Sequence, residues 1–259
     1  MLSVLTKSAM TASAAAGCLL MAAGSANAFT FDTNWSGAPP KGDILLESVE
    51  IGSEIITDFA LVNSVSNFTN SQYTGGNTGA ASSDQGDDAT NGTAVEDPMA
   101  SDVVTSLGNP YLSSIVDTED SNSASFSMDL NFDKAFSQLL FWERGINSDL
   151  GVTINGVTKI LTRQDFAQGE TTYTLDTTEI GGAQKVGSYG VDLSDFGITG
   201  KYSGPVTIFS NQYGYTGFNG PDFKVVGVAD VPEPATILGL TAIAGAAIAS
   251  RRRRSERSA

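Results

Sequence analysis

This chain contains no histidine and a single cysteine, Cys18. Without histidine, neither a Ser-His-Asp triad nor a histidine-bearing zinc site can form. Cys18 falls in an N-terminal stretch that reads as a removable leader, so the mature chain has no thiol chemistry and no disulfide. No G-x-x-x-x-G-K-[ST] loop is present to cradle a phosphate. Basic residues are scarce as well. Between Phe29 and Asp230, 27 Asp and Glu stand against 8 Lys and Arg, a net charge of −19. Such a surface repels nucleic acid and anionic lipid, favours solubility and attracts divalent cations. The enzyme chemistry still open is a carboxylate pair, as in glycoside hydrolysis. With so many acids some pair is unavoidable, so a pair is no signal by itself. The expectation is a protein that is not an enzyme.

Both ends of the chain carry addresses. Lys7 precedes a run of small and apolar residues from Ala9 to Ala23. Ala26-Asn27-Ala28 is an A-x-A site, so signal peptidase is expected to cut after Ala28 and leave Phe29 first. Ala15-Ala16-Gly17-Cys18 is a poor lipoprotein box. At the other end, Pro232-Glu233-Pro234 cannot enter a helix and holds the chain extended. An uncharged apolar run follows from Ala235 to Ala249. As a helix it is about 23 Å long, short against a hydrocarbon core of about 30 Å. Snorkelling arginines and the flanking residues supply the missing length, giving a transmembrane helix over 235–250. Arg251, Arg252, Arg253 and Arg254 form a stop signal that stays cytoplasmic. An ordinary membrane anchor with a chance proline pair is the plainer alternative.

The sequence Pro232-Glu233-Pro234-Ala235-Thr236, the apolar run and the arginine cluster, in that order at the chain end, resemble the sorting signal of PEP-CTERM proteins. The resemblance covers about a tenth of the chain. It implies an exosortase as partner, a membrane-embedded cysteine transpeptidase that reads the Pro-Glu-Pro signal and processes the anchor. It also implies a precursor held in the inner membrane of a bacterium with an outer membrane. The destination is then the cell surface or extracellular matrix.

The chain therefore divides into a signal peptide (1–28), a secreted domain (29–230) and a sorting segment (231–259). In the domain, strand patterns dominate. Asp43–Ile51 and Glu54–Val62 flank Gly52-Ser53, a hairpin with a two-residue turn. Ser125–Phe132 alternates, with Phe126, Met128, Leu130 and Phe132 on one side. Leu139–Trp142 is a buried-strand run. Gly151–Leu161 carries Asn155-Gly156 between β-branched residues, a type I′ hairpin signal. Thr171–Leu175, Tyr189–Leu193, Val206–Phe209 and Phe223–Val228 complete the set. One helix is expected from Pro98 to Leu107, capped by Asp97 and ended by Gly108, and a helical turn at Arg163–Ala167. From Asn67 to Asp97 the polar, glycine-rich composition predicts a long mobile loop. These elements predict an all-β, antiparallel β-sandwich of jelly-roll kind.

Two stretches carry candidate sites. Asp117-Thr118-Glu119-Asp120 packs oxygen ligands before a strong strand, so Asp117, Glu119 and Asp120 are candidate calcium ligands, or a solvated acidic turn. Phe141-Trp142-Glu143-Arg144 runs into a loop ending at Asp149. An aromatic face beside charged hydrogen-bonding groups reads a sugar, which makes Trp142, Glu143, Arg144 and Asp149 a candidate ligand site. Alternatively, Trp142 is core and Glu143 and Arg144 form a structural ion pair. The two stretches together also resemble a subgroup of exosortase-dependent surface proteins, which implies no activity. The function expected is an exported, exosortase-processed surface or matrix protein with a non-catalytic domain. A carbohydrate-binding module of the exopolysaccharide matrix is the alternative, and a carboxylate glycosidase the distant one.

Overall fold

The structure is a computed structural model that describes residues 28–71, 79–119 and 124–229. In chain order its strands are β1 (Ala28–Phe29), β2 (Asp32–Gly37), β3 (Ile44–Ile51), β4 (Glu54–Ile56), β5 (Phe59–Ala60), β6 (Val62–Asn70), β7 (Ala81–Gln85) and β8 (Ser114–Thr118). Then follow β9 (Phe126–Phe132), β10 (Gln138–Arg144), β11 (Leu150–Ile154), β12 (Val157–Leu161), β13 (Glu170–Leu175), β14 (Gln184–Asp192), β15 (Val206–Ser210) and β16 (Asp222–Val228). Helix α1 (Ala100–Leu107) lies between β7 and β8, and α2 (Arg163–Phe166) between β12 and β13.

The first sheet runs β1-β14-β10-β16-β8-β7, with β13 also on β14 and β5 on β16. The second runs β12-β11-β15-β9-β6, and the third β2-β3-β4. The pairings are antiparallel. From β8 onward the chain alternates between the first two sheets, β8 to β9 to β10 to β11, and again β14 to β15 to β16.

Side-chain alternation explains the layering. Phe126, Met128 and Leu130 of β9 turn inward, as do Val152 and Ile154 of β11 and Val206 and Ile208 of β15. They meet Leu139, Phe141, Val191, Phe223 and Val225 of the first sheet in one core. The opposite face of the first sheet presents Leu140, Trp142, Val226 and Val228 to Ile44, Leu46, Val49 and Ile56 in a second core. Strands β10 and β16 are thus covered on both faces, which is why they read as continuous apolar runs rather than alternating ones. The fold is β-sandwich-like, with a third small sheet on its outer side.

Many expected elements appear where the residues placed them. Asn155 and Gly156 take positive φ (51° and 77°) and join β11 to β12, as a type I′ turn requires. Gly52 (φ 63°) turns β3 into β4, but β4 stops at Ile56 rather than reaching Val62. Helix α1 begins later than expected. The residue that caps it is Met99, whose N–H donates to Asp102 Oδ2 at 2.8 Å, so Asp97 is not the cap.

The expected mobile loop over Asn67–Asp97 is corrected by the structure. Strand β6 extends to Asn70, and Ala81–Gln85 forms β7, paired along its length with β8. Ala80 to Asp84 are buried. Alanine and serine offer no hydrophobic pattern, yet their small side chains let β7 pack tightly while its backbone bonds to β8. Further along, Asp43 accepts the N–H groups of Thr90 and Asn91 at 3.1 and 3.0 Å. Among the described residues no helix is long and apolar enough to cross a membrane. Of the expected leader 1–28 all but Ala28, and the whole of the expected sorting segment 231–259 with its expected anchor, lie outside the described residues.

Candidate functional site

Strand β10 carries the aromatic and charged residues singled out in the sequence, and alternation sends them to opposite faces. Trp142 is 2% exposed in the second core. Its Nε1 donates to Thr33 Oγ1 at 3.0 Å, and Phe31 meets the ring edge-on at 5.3 Å. No sugar can stack on it. Glu143 faces the other way and is fully buried. Asp149 accepts the N–H of Arg163 at 2.9 Å and its Nε at 3.2 Å, tethering the start of α2. The four residues do not converge on one surface. The reading of Trp142 as core fits, and Arg144 pairs with Asp222 rather than with Glu143.

Arg144 instead opens a different constellation. Register places it opposite Asp222 of β16. The Phe223–Val116 pairing then carries Asp222 beside Asp117 of β8, and Asp117 lies opposite Ser82 of β7. This row crosses the first sheet on one face. Arg144, 1% exposed, donates to Asp222 Oδ2 at 2.9 Å and stands 3.8 Å from Asp117 Oδ2. Its other nitrogens donate to the carbonyls of Leu175 (3.3 Å) and Ile180 (3.0 Å). Asp222 Oδ1 accepts the Thr118 N–H at 3.1 Å.

Beyond Asp117 the acids continue. One oxygen each of Asp84, Asp117 and Glu179 lie within 4.8 Å of one another, and so do oxygens of Glu96, Glu119 and Glu179. Asp84 Oδ1 accepts the Gln85 N–H at 2.7 Å, and Glu179 Oε2 accepts the Ser82 hydroxyl at 2.6 Å. Neither oxygen of Asp117 accepts a hydrogen bond, although the residue is fully buried. A cavity of about 140 Å³ borders Asp84, Glu96 and Glu179.

Burial dominates the electrostatics. It pushes the Asp117 carboxyl well above the usual range, and the Asp222 charge adds to the effect. Burial also raises Asp84. It lifts Asp222 to about 6 against the pull of Arg144, and Glu179 to about 7 with help from Glu119. Glu143 is raised well above its ordinary value by burial and then by Asp222, while the Ile146 and Asn147 amides and Arg144 oppose this. One guanidinium thus faces a string of carboxyl groups that prefer a proton or another cation.

The sequence reading placed Asp117, Glu119 and Asp120 in a turn. Asp117 lies instead inside β8, Glu119 follows the strand and is 8% exposed, and Asp120 lies outside the described residues. The Asp117–Glu119 spacing of two puts both on one face of extended chain. The partners Asp84, Glu179, Glu96 and Asp222 were missed. No local motif marks them, because they come from β7, from the loop after β13, from the approach to α1 and from β16. The cavity is small against the roughly 300–1,000 Å³ of small-molecule sites. A buried acid centre of this size suits an ion or protons rather than a sugar ring. No family model matches the chain, and no curated protein and no solved structure matches it either.

Proposed function

We propose that this chain is an exported protein whose precursor is held in the inner membrane, processed by an exosortase, and delivered to the cell surface or extracellular matrix as a non-catalytic domain. The observation that carries the reading is the order at the chain end: Pro232-Glu233-Pro234, the apolar run from Ala235 to Ala249, then Arg251–Arg254. The domain's limits support it. Strand β16 ends at Val228, and the Ala229 N–H donates to Asp58 O at 3.0 Å, three residues before Pro232. At the other end the expected cut falls inside β1, where Ala28 pairs with Val191 and Phe29 with Gly190 of β14, so Phe29 is the part of that pairing a cut would leave in the domain. The alternation of β8–β11 and β14–β16 between two sheets supports the jelly-roll reading of the sandwich, a scaffold that hosts many functions and implies none. The absence of histidine favours a role without catalysis.

Replacing Pro232, Glu233 and Pro234 together tests the reading. The expected outcome is a full-length precursor retained in the inner-membrane fraction, with its C-terminus intact by mass spectrometry. A triple variant trimmed and delivered like the wild type would refute exosortase sorting.

A second reading, binding of extracellular polysaccharide, is favoured by two exposed tyrosines rather than by Trp142. Tyr213 and Tyr215 are 63% and 37% exposed. Both rings rest on Phe209, at 5.0 and 5.8 Å, and the Tyr213 hydroxyl bonds Ser127 at 2.9 Å. Retention on polysaccharide affinity gels that vanishes in Tyr213→Ala and Tyr215→Ala would establish it; no retention of the wild type would dismiss it.

A further inference from the structure

Asp117 presents a problem of charge. Its side chain is fully buried, neither of its oxygens accepts a hydrogen bond, and Arg144 stands 3.8 Å away while bonding Asp222 more closely. An ionised carboxylate in such a place is costly unless a cation meets it. One oxygen of Asp117 lies within 4.8 Å of one oxygen each of Asp84 and Glu179, like-charged groups that repel one another unless something positive sits among them. Glu179 Oε1 also lacks a hydrogen-bond partner.

We propose that this centre binds a divalent cation of calcium's kind through Asp84, Asp117 and Glu179. The chemistry of the donors supports the choice. All are carboxylate oxygens, and calcium takes about six to eight oxygens, mono- or bidentate, with water filling the rest. The adjoining cavity of about 140 Å³ leaves room for several waters at about 30 Å³ each. Glu96 is exposed, and with Glu119 it shares Glu179, so a second acidic triad leads from solvent to the buried one. Elements far apart in sequence meet here: β7, β8 and the loop after β13. An ion would therefore fasten the outer strand β7 to the rest of the sheet. This inference does not depend on how the chain is sorted.

The test uses the full chain, purified in a non-ionic detergent, stripped with EDTA and titrated with calcium or magnesium chloride. Calorimetry is expected to show one calcium per chain, and the melting temperature to rise with calcium concentration. At a hundredfold excess over the dissociation constant, the unfolding constant falls about a hundredfold, or about 2.7 kcal/mol. Asp117→Asn and Glu179→Gln are each expected to abolish the calcium-dependent rise. If Asp117→Asn does not fold, Glu179→Gln carries the comparison. No heat and no melting shift at millimolar calcium would overturn the proposal and leave protons as the neutralising charge. An undiminished shift in both variants would also overturn it, as would an equal shift with magnesium at the same concentration.

Discussion

Replacing Arg144 with methionine probes the acidic centre from the side opposite its candidate ion. Methionine keeps much of the length and apolar stem, so the change is mainly the loss of the guanidinium. That group is buried, bonds Asp222 at 2.9 Å and donates to the carbonyls of Leu175 and Ile180. Removing one member of a buried pair costs about 3–5 kcal/mol, because the other charge is left behind. Asp222 has an escape: burial already lifts its carboxyl to about 6 with Arg144 present, so without the arginine it takes up a proton more readily. That places the cost near the lower limit, about 3 kcal/mol at neutral pH. In a domain of this size it lowers the melting temperature by about 6–12 °C. The sign of the pH dependence follows. A carboxyl with a folded-state value above its unfolded one binds more protons when folded, so it stabilises below that value and the contribution is lost as pH rises through it. The variant's deficit is therefore smaller at about pH 5 than at about pH 7. Urea unfolding in EDTA at both values measures this. Arg144→Lys, which keeps the charge but not the fan of donors, is expected to fall between. A deficit below about 0.5 kcal/mol, the range of ordinary surface substitutions, would refute the reasoning. So would a deficit equal at both pH values.

Trp142→Ala is expected to cost about 3–5 kcal/mol by emptying the second core, and to leave polysaccharide retention per folded molecule unchanged; both are measured on the same preparation. Gly151→Ala brings a Cβ to within 2.4 Å of the Phe209 ring, so overpacking of about 1–3 kcal/mol is expected in chemical unfolding. Lys224 is fully buried, with Nζ donating to Ser106 O at 2.6 Å and Asn109 Oδ1 at 3.1 Å, and burial pulls its ammonium well below 10.5. Between that lowered value and 10.5 the folded chain is neutral there while the unfolded chain is charged, so stability rises with pH. Melting curves across the alkaline range are expected to show this rise in the wild type and to lose it in Lys224→Met.

Local signals made much of the fold legible. The alternation of Phe126, Met128 and Leu130, the Asn155-Gly156 turn and the apolar run before Trp142 all depend on a few consecutive residues. Strand β7 was not legible, because Ala81-Ser82-Ser83-Asp84-Gln85 has the composition of a loop. It is a strand because β8 offers it a hydrogen-bonding edge, which is a property of the partner. For the same reason the candidate site was half visible. Asp117 and Glu119 stand out within one acidic stretch, but Asp84 and Glu179 are separated by 95 residues and share no pattern.

The amino-acid sequence by itself determined that histidine chemistry is absent, since no fold can create the residue. It also carries, in its linear order, the features from which the proposed sorting is read: the prolines at 232 and 234, the apolar run and the charge of Arg251–Arg254. The tertiary structure alone decided that Trp142 is core, that Arg144 pairs with Asp222, and that carboxylates from separate strands gather around Asp117. The reason is physical. Burial and pairing depend on which strands become neighbours, and strand register, not sequence distance, sets which charges must share a space without water.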